Sequence, residues 1–221
     1  MPLKFSEFIE LHRIKDYKAR YEEVLKLFEK YMATGGLLGA INGYSLENIT
    51  REYVTDIIRA GKNPSVMREV VAALINKMPA PISFRGIAKE IQRYSYKLVQ
   101  EYLEVLRGLY VIEYAYMKEG REVYYKRGRK MFFRDPLLMR IFSFLSGIRP
   151  FESVIYENVV QEHLYRKFGE VYYYKDFYEI NVIAGEIKLG IKAGKTRAKY
   201  PKGVTVLNKE DIPEFLLKLF R

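Results

Sequence analysis

The stretch PISFRGIAKEIQRYSYKLVQEYLEVLRGLYVIEYAYMKEGREVYYK, residues 81–126, decides the fold. Ser83 is placed to cap a helix in which Phe84, Ile87, Ala88 and Ile91 fall at i, i+3, i+4 and i+7, forming one apolar stripe. Arg93-Tyr94 supplies a short turn. Ser95 then caps a second helix, whose Val99, Tyr102, Leu103 and Leu106 repeat the spacing until Gly108 ends it. Two β-rich runs follow, 110–116 and 123–125. Between them lies Lys118-Glu119-Gly120-Arg121, a hairpin turn with its glycine.

Just upstream, Asn63-Pro64 reads as an N-cap with proline at the first helical position. The helix it opens turns Met67, Val70, Val71, Leu74 and Met78 inward. Helices followed by a hairpin in this order predict a winged helix-turn-helix. In such a module the recognition helix enters the major groove and its N-terminal residues face base edges. Here those are Ser95, Tyr96, Lys97 and Gln100, with Glu101 and Glu104 further along where they would repel phosphates. The hairpin runs into the basic cluster Lys126-Arg127-Gly128-Arg129-Lys130. Residues 121–140 carry seven Lys or Arg against two acids, a net of +5. Lys118, Arg121, Arg127, Arg129 and Lys130 are therefore the candidate phosphate contacts.

Composition agrees with an anionic partner. The 221 residues carry a net charge of +11, and neutralising phosphates releases their counterions. The absence of cysteine excludes disulfides and thiolate metal sites, suits a reducing interior, and leads us to expect a cytoplasmic protein. The two histidines, His12 and His163, are too far apart in sequence to suggest a histidine metal site. No apolar run approaches the roughly 20 residues of a membrane span, and the start does not read as a signal peptide. Neither Gly-x-x-x-x-Gly-Lys-Ser/Thr nor Gly-x-Gly-x-x-Gly occurs, so no Walker loop and no ATP site are expected.

Residues 1–62 look helical. Phe5, Phe8, Ile9 and His12 share a face, Tyr21, Val24, Leu25, Phe28 and Met32 repeat the pattern, and 46–59 is a further helix. Gly35-Gly36 reads as a helix C-cap and turn. After the basic cluster, Asp135-Pro136 opens a helix and 147–150 is a linker. The last third is read as a helix over 153–168, strands at 170–174, 178–184, 186–189 and 203–207, and a closing helix over 211–220, a small α/β unit.

Three features of that unit carry a resemblance: Glu157 on its helix, Glu179-Ile180-Asn181 on its second strand, and Glu186-Ile187-Lys188 on its third. It resembles the restriction-endonuclease-like fold, the PD-(D/E)xK nuclease superfamily. The resemblance implies a site of Glu157, Asn181, Glu186 and Lys188, in which acids on two adjacent strands hold a divalent metal and the lysine positions water. Alternation along a strand lets Glu186 and Lys188 reach one site, and carboxylates suit magnesium. Glu179 is read as facing away. The chain departs from the family where an acid would be expected and Asn181 stands instead. The site is accordingly read as degenerate, with no metal bound and magnesium expected only if it were active.

The order of pieces across nearly the whole chain is similar to the C-terminal portion of a largely archaeal family of P-loop ATPases, in which a helical lid, a winged helix and an endonuclease-like domain follow the ATPase core. The matching strings are Leu3-Lys4-Phe5-Ser6-Glu7-Phe8, Gly35-Gly36, Asp56-Ile57, the winged segment, and Phe133-Arg134-Asp135-Pro136. The resulting expectation is an α+β chain of three units: a lid-like helical region over 1–62, a winged helix-turn-helix over 63–130 and an endonuclease-like domain over 131–221. Its expected function is non-catalytic binding of double-stranded DNA through the winged helix and the basic segments 121–134 and 188–202. The alternatives are a metal-dependent DNA nuclease, or an interaction module acting with an ATPase partner or as a homo-oligomer.

Overall fold

The computed structural model describes residues 1–192 and 200–220. The chain is α+β, with helices packed around one mixed sheet. The N-terminal third is helical: α1 (Phe5–Leu11), α2 (Tyr21–Thr34), α3 (Leu38–Ile41) and α4 (Leu46–Arg59). On α2 the buried positions are Val24, Phe28, Tyr31 and Met32. Tyr31 takes the inward place expected of Leu25, which is exposed. Gly35 caps α2 at φ +66°, its N–H donating to the Tyr31 carbonyl. The next glycine is required for closeness: a Cβ on Gly36 would lie 2.2 Å from the Leu3 carbonyl oxygen.

The helices of the stretch 63–124 start where their local signals indicate, whereas the first strand begins at Ile112 rather than 110 and takes in Lys118 and Glu119, which the sequence reads as turn. Asn63 caps α5 (Pro64–Lys77), its side-chain oxygen accepting from Ser65 N. Ser83 Oγ accepts from Gly86 N at the start of α6 (Phe84–Ile91), and Ser95 Oγ from Leu98 N at the start of α7 (Tyr96–Gly108). Such caps contribute about 1 kcal/mol each. β1 (Ile112–Glu119) and β2 (Glu122–Tyr124) form a hairpin across Gly120-Arg121, where Gly120 has φ +58°. A short strand that the sequence pattern does not signal follows: β3 (Lys130–Phe133), buried throughout and antiparallel to the first half of β1.

Asp135 caps α8 (Pro136–Ser146) and also accepts the Gly36 amide at 2.8 Å, joining the N-terminal helices to the second half of the chain. Then come α9 (Glu152–Phe168), β4 (Tyr172–Lys175), β5 (Glu179–Ala184), β6 (Ile187–Lys192), β7 (Thr205–Asn208) and, after a 3-10 turn, α10 (Ile212–Leu219). The sheet order is β2-β1-β4-β5-β6-β7, with β3 also on β1. β4, β5 and β6 form antiparallel pairs, whereas β1 with β4 and β6 with β7 are parallel. The hairpin strand β1 is thus part of the same sheet as the C-terminal strands. A single apolar core runs from Phe5 on α1 to Leu219 on α10. Among the described residues no helix is long and apolar enough to cross a membrane.

Candidate nucleic-acid interface and a buried charge cluster

The N-terminus of α7 stands open. Ser95 spends one lone pair on its cap, while Tyr96, Lys97 and Gln100 are exposed beside it. The Arg85 guanidinium of α6 lies over the Tyr96 ring at 4.9 Å, so an aromatic face and a fixed cation sit at the start of the helix. Lys97 makes no ion pair with any described residue. The two acids behind it are partly neutralised: Glu101 meets Lys62 Nζ at 2.8 Å, and Glu104 lies 3.8 Å from Arg107.

The basic residues after α7 divide by burial. Arg121, Lys126 and Arg127 are exposed, with Arg127 stacked at 4.7 Å over Tyr124. Lys118 is half-buried, its ammonium over the Tyr172 ring at 4.4 Å. Arg129 is largely a packing residue. Its guanidinium lies over Phe84, Tyr114 and Tyr116, and its backbone pairs with Ile82 in both directions, fastening the strand segment to the approach of α6. Lys130 departs from the expectation of a phosphate contact: at 1% exposure it cannot meet a phosphate. Of the basic segment 188–202, residues 193–199 lie outside the described residues.

Lys130 instead centres a buried charge cluster. β3 carries its Nζ to 2.7 Å from Glu157 Oε1 on α9 and 2.8 Å from Glu179 Oε1 on β5. Glu179 therefore does not face away, as the sequence leads one to expect. It lies two residues before Asn181 on one strand, and alternation puts both on the same face. Asn181 Nδ2 donates to Glu157 Oε2 at 3.2 Å, and Asn181 Oδ1 accepts from Ile191 N at 2.9 Å and from Tyr200 OH at 3.1 Å. Gln161 donates to Glu157 Oε1 at 3.4 Å. Burial works against the Lys130 ammonium, yet the two carboxylates hold its pKa above the ordinary lysine value. Burial raises Glu157 despite the ammonium beside it, whereas Lys130 and Lys175 outweigh burial at Glu179 and lower it.

Of the four residues expected to converge, the structure brings together only Glu157 and Asn181. Glu186 lies in the β5–β6 turn, and Lys188 is exposed beyond it, paired across the ladder with Ile183. Continuing that register, the residue opposite Asn181 is Gly190, where a Cβ would come 2.3 Å from the Tyr200 ring. The strand position beside Asn181 is thus filled by an aromatic ring rather than an acid. The cluster does not fit a divalent cation. The Glu157 and Glu179 oxygens that would ligate one are occupied by an ammonium, which a dication would repel. Nor do any three acidic, histidine or cysteine side chains gather for a metal among the described residues. Alternation along β5 is the sequence signal that places Glu179 beside Asn181. Nothing local in Lys130-Met131-Phe132-Phe133 announces that its lysine points inward.

No family model, curated protein or solved structure matches the chain.

Proposed function

We propose that the protein binds double-stranded DNA without cutting it, α5 to β2 acting as a winged helix-turn-helix with α7 as its recognition helix. The observation that carries this reading is the exposed N-terminus of α7, where Lys97 and Gln100 stand beside the Arg85–Tyr96 stack. Amide and cationic side chains at that position can reach base edges and phosphates. The exposed Arg121, Lys126 and Arg127 add phosphate contacts, and the net charge of +11 favours association. The non-catalytic half of the reading rests on Lys130, which takes up the carboxylates of the nuclease-like unit. The likeness to the C-terminal part of a P-loop ATPase family belongs to the same proposal.

The test is binding of fluorescent duplex DNA across a salt series, with supercoiled plasmid plus magnesium or manganese in parallel. Saturable binding that weakens linearly in log salt, with the plasmid left intact, supports the reading. Salt-independent or absent binding overturns the DNA half. Metal-dependent nicking lost on Glu157→Ala overturns the other.

A further inference from the structure

Away from these regions, α8 ends at Ser146 and α9 begins at Glu152, and between them lies a groove of about 980 Å³. Its apolar wall is Phe144, Ile148 and Phe151. The two phenylalanines are 76% and 78% exposed, a large apolar area to leave in water. Three polar features accompany it. Ser143 lines the groove and is 9% exposed, and its buried hydroxyl has no hydrogen-bond partner. The N-cap position of α9 is Phe151, which offers no side-chain cap; the Val154 N–H turns back to the Phe151 carbonyl at 3.0 Å, leaving the Glu152 and Ser153 amides without a capping acceptor among the described residues. Arg140 and Arg149 are on the rim; the Arg140 guanidinium donates to the Met32 carbonyl at 3.2 and 3.3 Å, whereas Arg149 is exposed without an ion pair to any described residue. Glu152, the one acid among the described residues lining the groove, is neutralised by Lys209 at 2.8 Å.

The geometry points to a docking site for a partner protein: a segment carrying aromatic or aliphatic side chains beside a carboxylate. The apolar side chains would cover Phe144 and Phe151. The carboxylate would cap the free amides at the start of α9, aided by the helix dipole and Arg149. Charge selects the occupant. A second copy of this chain brings +11 to a cationic rim and is repelled. A nucleic-acid strand needs a track of cations, whereas two arginines beside one helix start match one or two carboxylates.

The test is fluorescence anisotropy on the full chain with three labelled dodecapeptides. One carries Phe and Leu four residues apart, flanked by Glu. The second replaces Glu by Lys, and the third replaces the apolar pair by Ser. Only the first should bind, and Phe144→Ser, Phe151→Ser or Arg149→Glu should each weaken it about tenfold or more, in keeping with loss of a central anchor. The three replaced side chains are exposed, so an unchanged melting temperature accompanies the expected result. The proposal is overturned by any of four outcomes: no saturable binding of the first peptide, equal binding of the Lys-flanked one, variants that bind as the parent does, or displacement of the peptide by oligo-dT that itself needs Phe144. Concentration-dependent dimerisation of the free protein that Phe144→Ser abolishes also overturns it, assigning the groove to a second copy.

Discussion

Lys130 and Glu157 form an ion pair across β3 and α9, Nζ to Oε1 at 2.7 Å, with side chains 2% and 6% exposed. Such a pair adds little over a well-packed apolar replacement, but removing one partner strands the other as a buried charge, at about 3–5 kcal/mol. Lys130→Ala should therefore lower unfolding stability in urea by that amount. Pairing it with Glu157→Gln should cost less than the sum of the two single changes. A loss under about 1 kcal/mol for Lys130→Ala would mean that the cluster is not closed as described.

DNA affinity should respond to the exposed cations and not to the buried one. Arg121→Ala, Lys126→Ala and Arg127→Ala together should weaken binding to all duplexes alike. They should flatten the log–log salt slope by roughly 0.9 for each phosphate that is no longer neutralised. Gln100→Ala and Lys97→Ala should instead change the ranking of duplex sequences in a binding-site selection. If the triple variant keeps the parent's slope, those three residues are only a solvated surface.

Asn181→Asp keeps the oxygen that accepts from Ile191 and Tyr200 but loses the amide that donates to Glu157, and sets two carboxylates face to face. A loss of about 1–3 kcal/mol is expected at pH 7, shrinking as the pH falls and one carboxyl takes a proton. With Lys130 still in place, calorimetry should detect no gain in magnesium affinity. A clear gain would show that the ammonium yields to a dication.

Much of the helical frame is legible in the sequence because its signals are local. Asn63-Pro64, Ser83, Ser95 and Asp135 cap the helices that follow them in the structure, and 46–59 is helical as its pattern indicates. The site is much less legible, because its members are set by partners far along the chain. Lys130 belongs to a basic run by sequence and to the core by virtue of Glu157 and Glu179, 27 and 49 positions away. Glu186-Ile187-Lys188 has the right letters, yet ladder register, which the letters do not encode, puts its glutamate in a turn and Gly190 beside Asn181.

His163 offers a pH test. Its Nε2 accepts the Phe5 N–H at 2.9 Å and its Nδ1 lies 2.7 Å from the Val159 carbonyl, an arrangement that fits the neutral ring with the proton on Nδ1. Burial lowers its pKa from 6.5 to about 4. A depressed histidine contributes stability that is fully present above pH 6.5 and lost as the pH falls towards about 4, on the order of 3 kcal/mol in all. Glu162 and Asp135, raised by burial to about 7 and about 6, act in the opposite sense, their contribution lost as the pH rises through those values. The two carboxyls together outweigh the histidine, so these three groups should leave a net gain in stability as the pH falls from 7 towards 4. Nitrogen NMR of the imidazole isolates the histidine: it should stay neutral down to pH 5, and protonation near pH 6.5 would contradict the buried placement.

β1 has its first half zipped to β3 and its second half held between β2 and β4. The helix-and-hairpin segment is therefore no detachable cassette. A fragment ending near residue 130 would strip both β3 and β4 from β1, baring a ladder edge beside Ile112, Tyr114 and Met117, all buried in the whole chain. Raw apolar edges of that kind recruit one another. Such a fragment should clump or melt rather than bind.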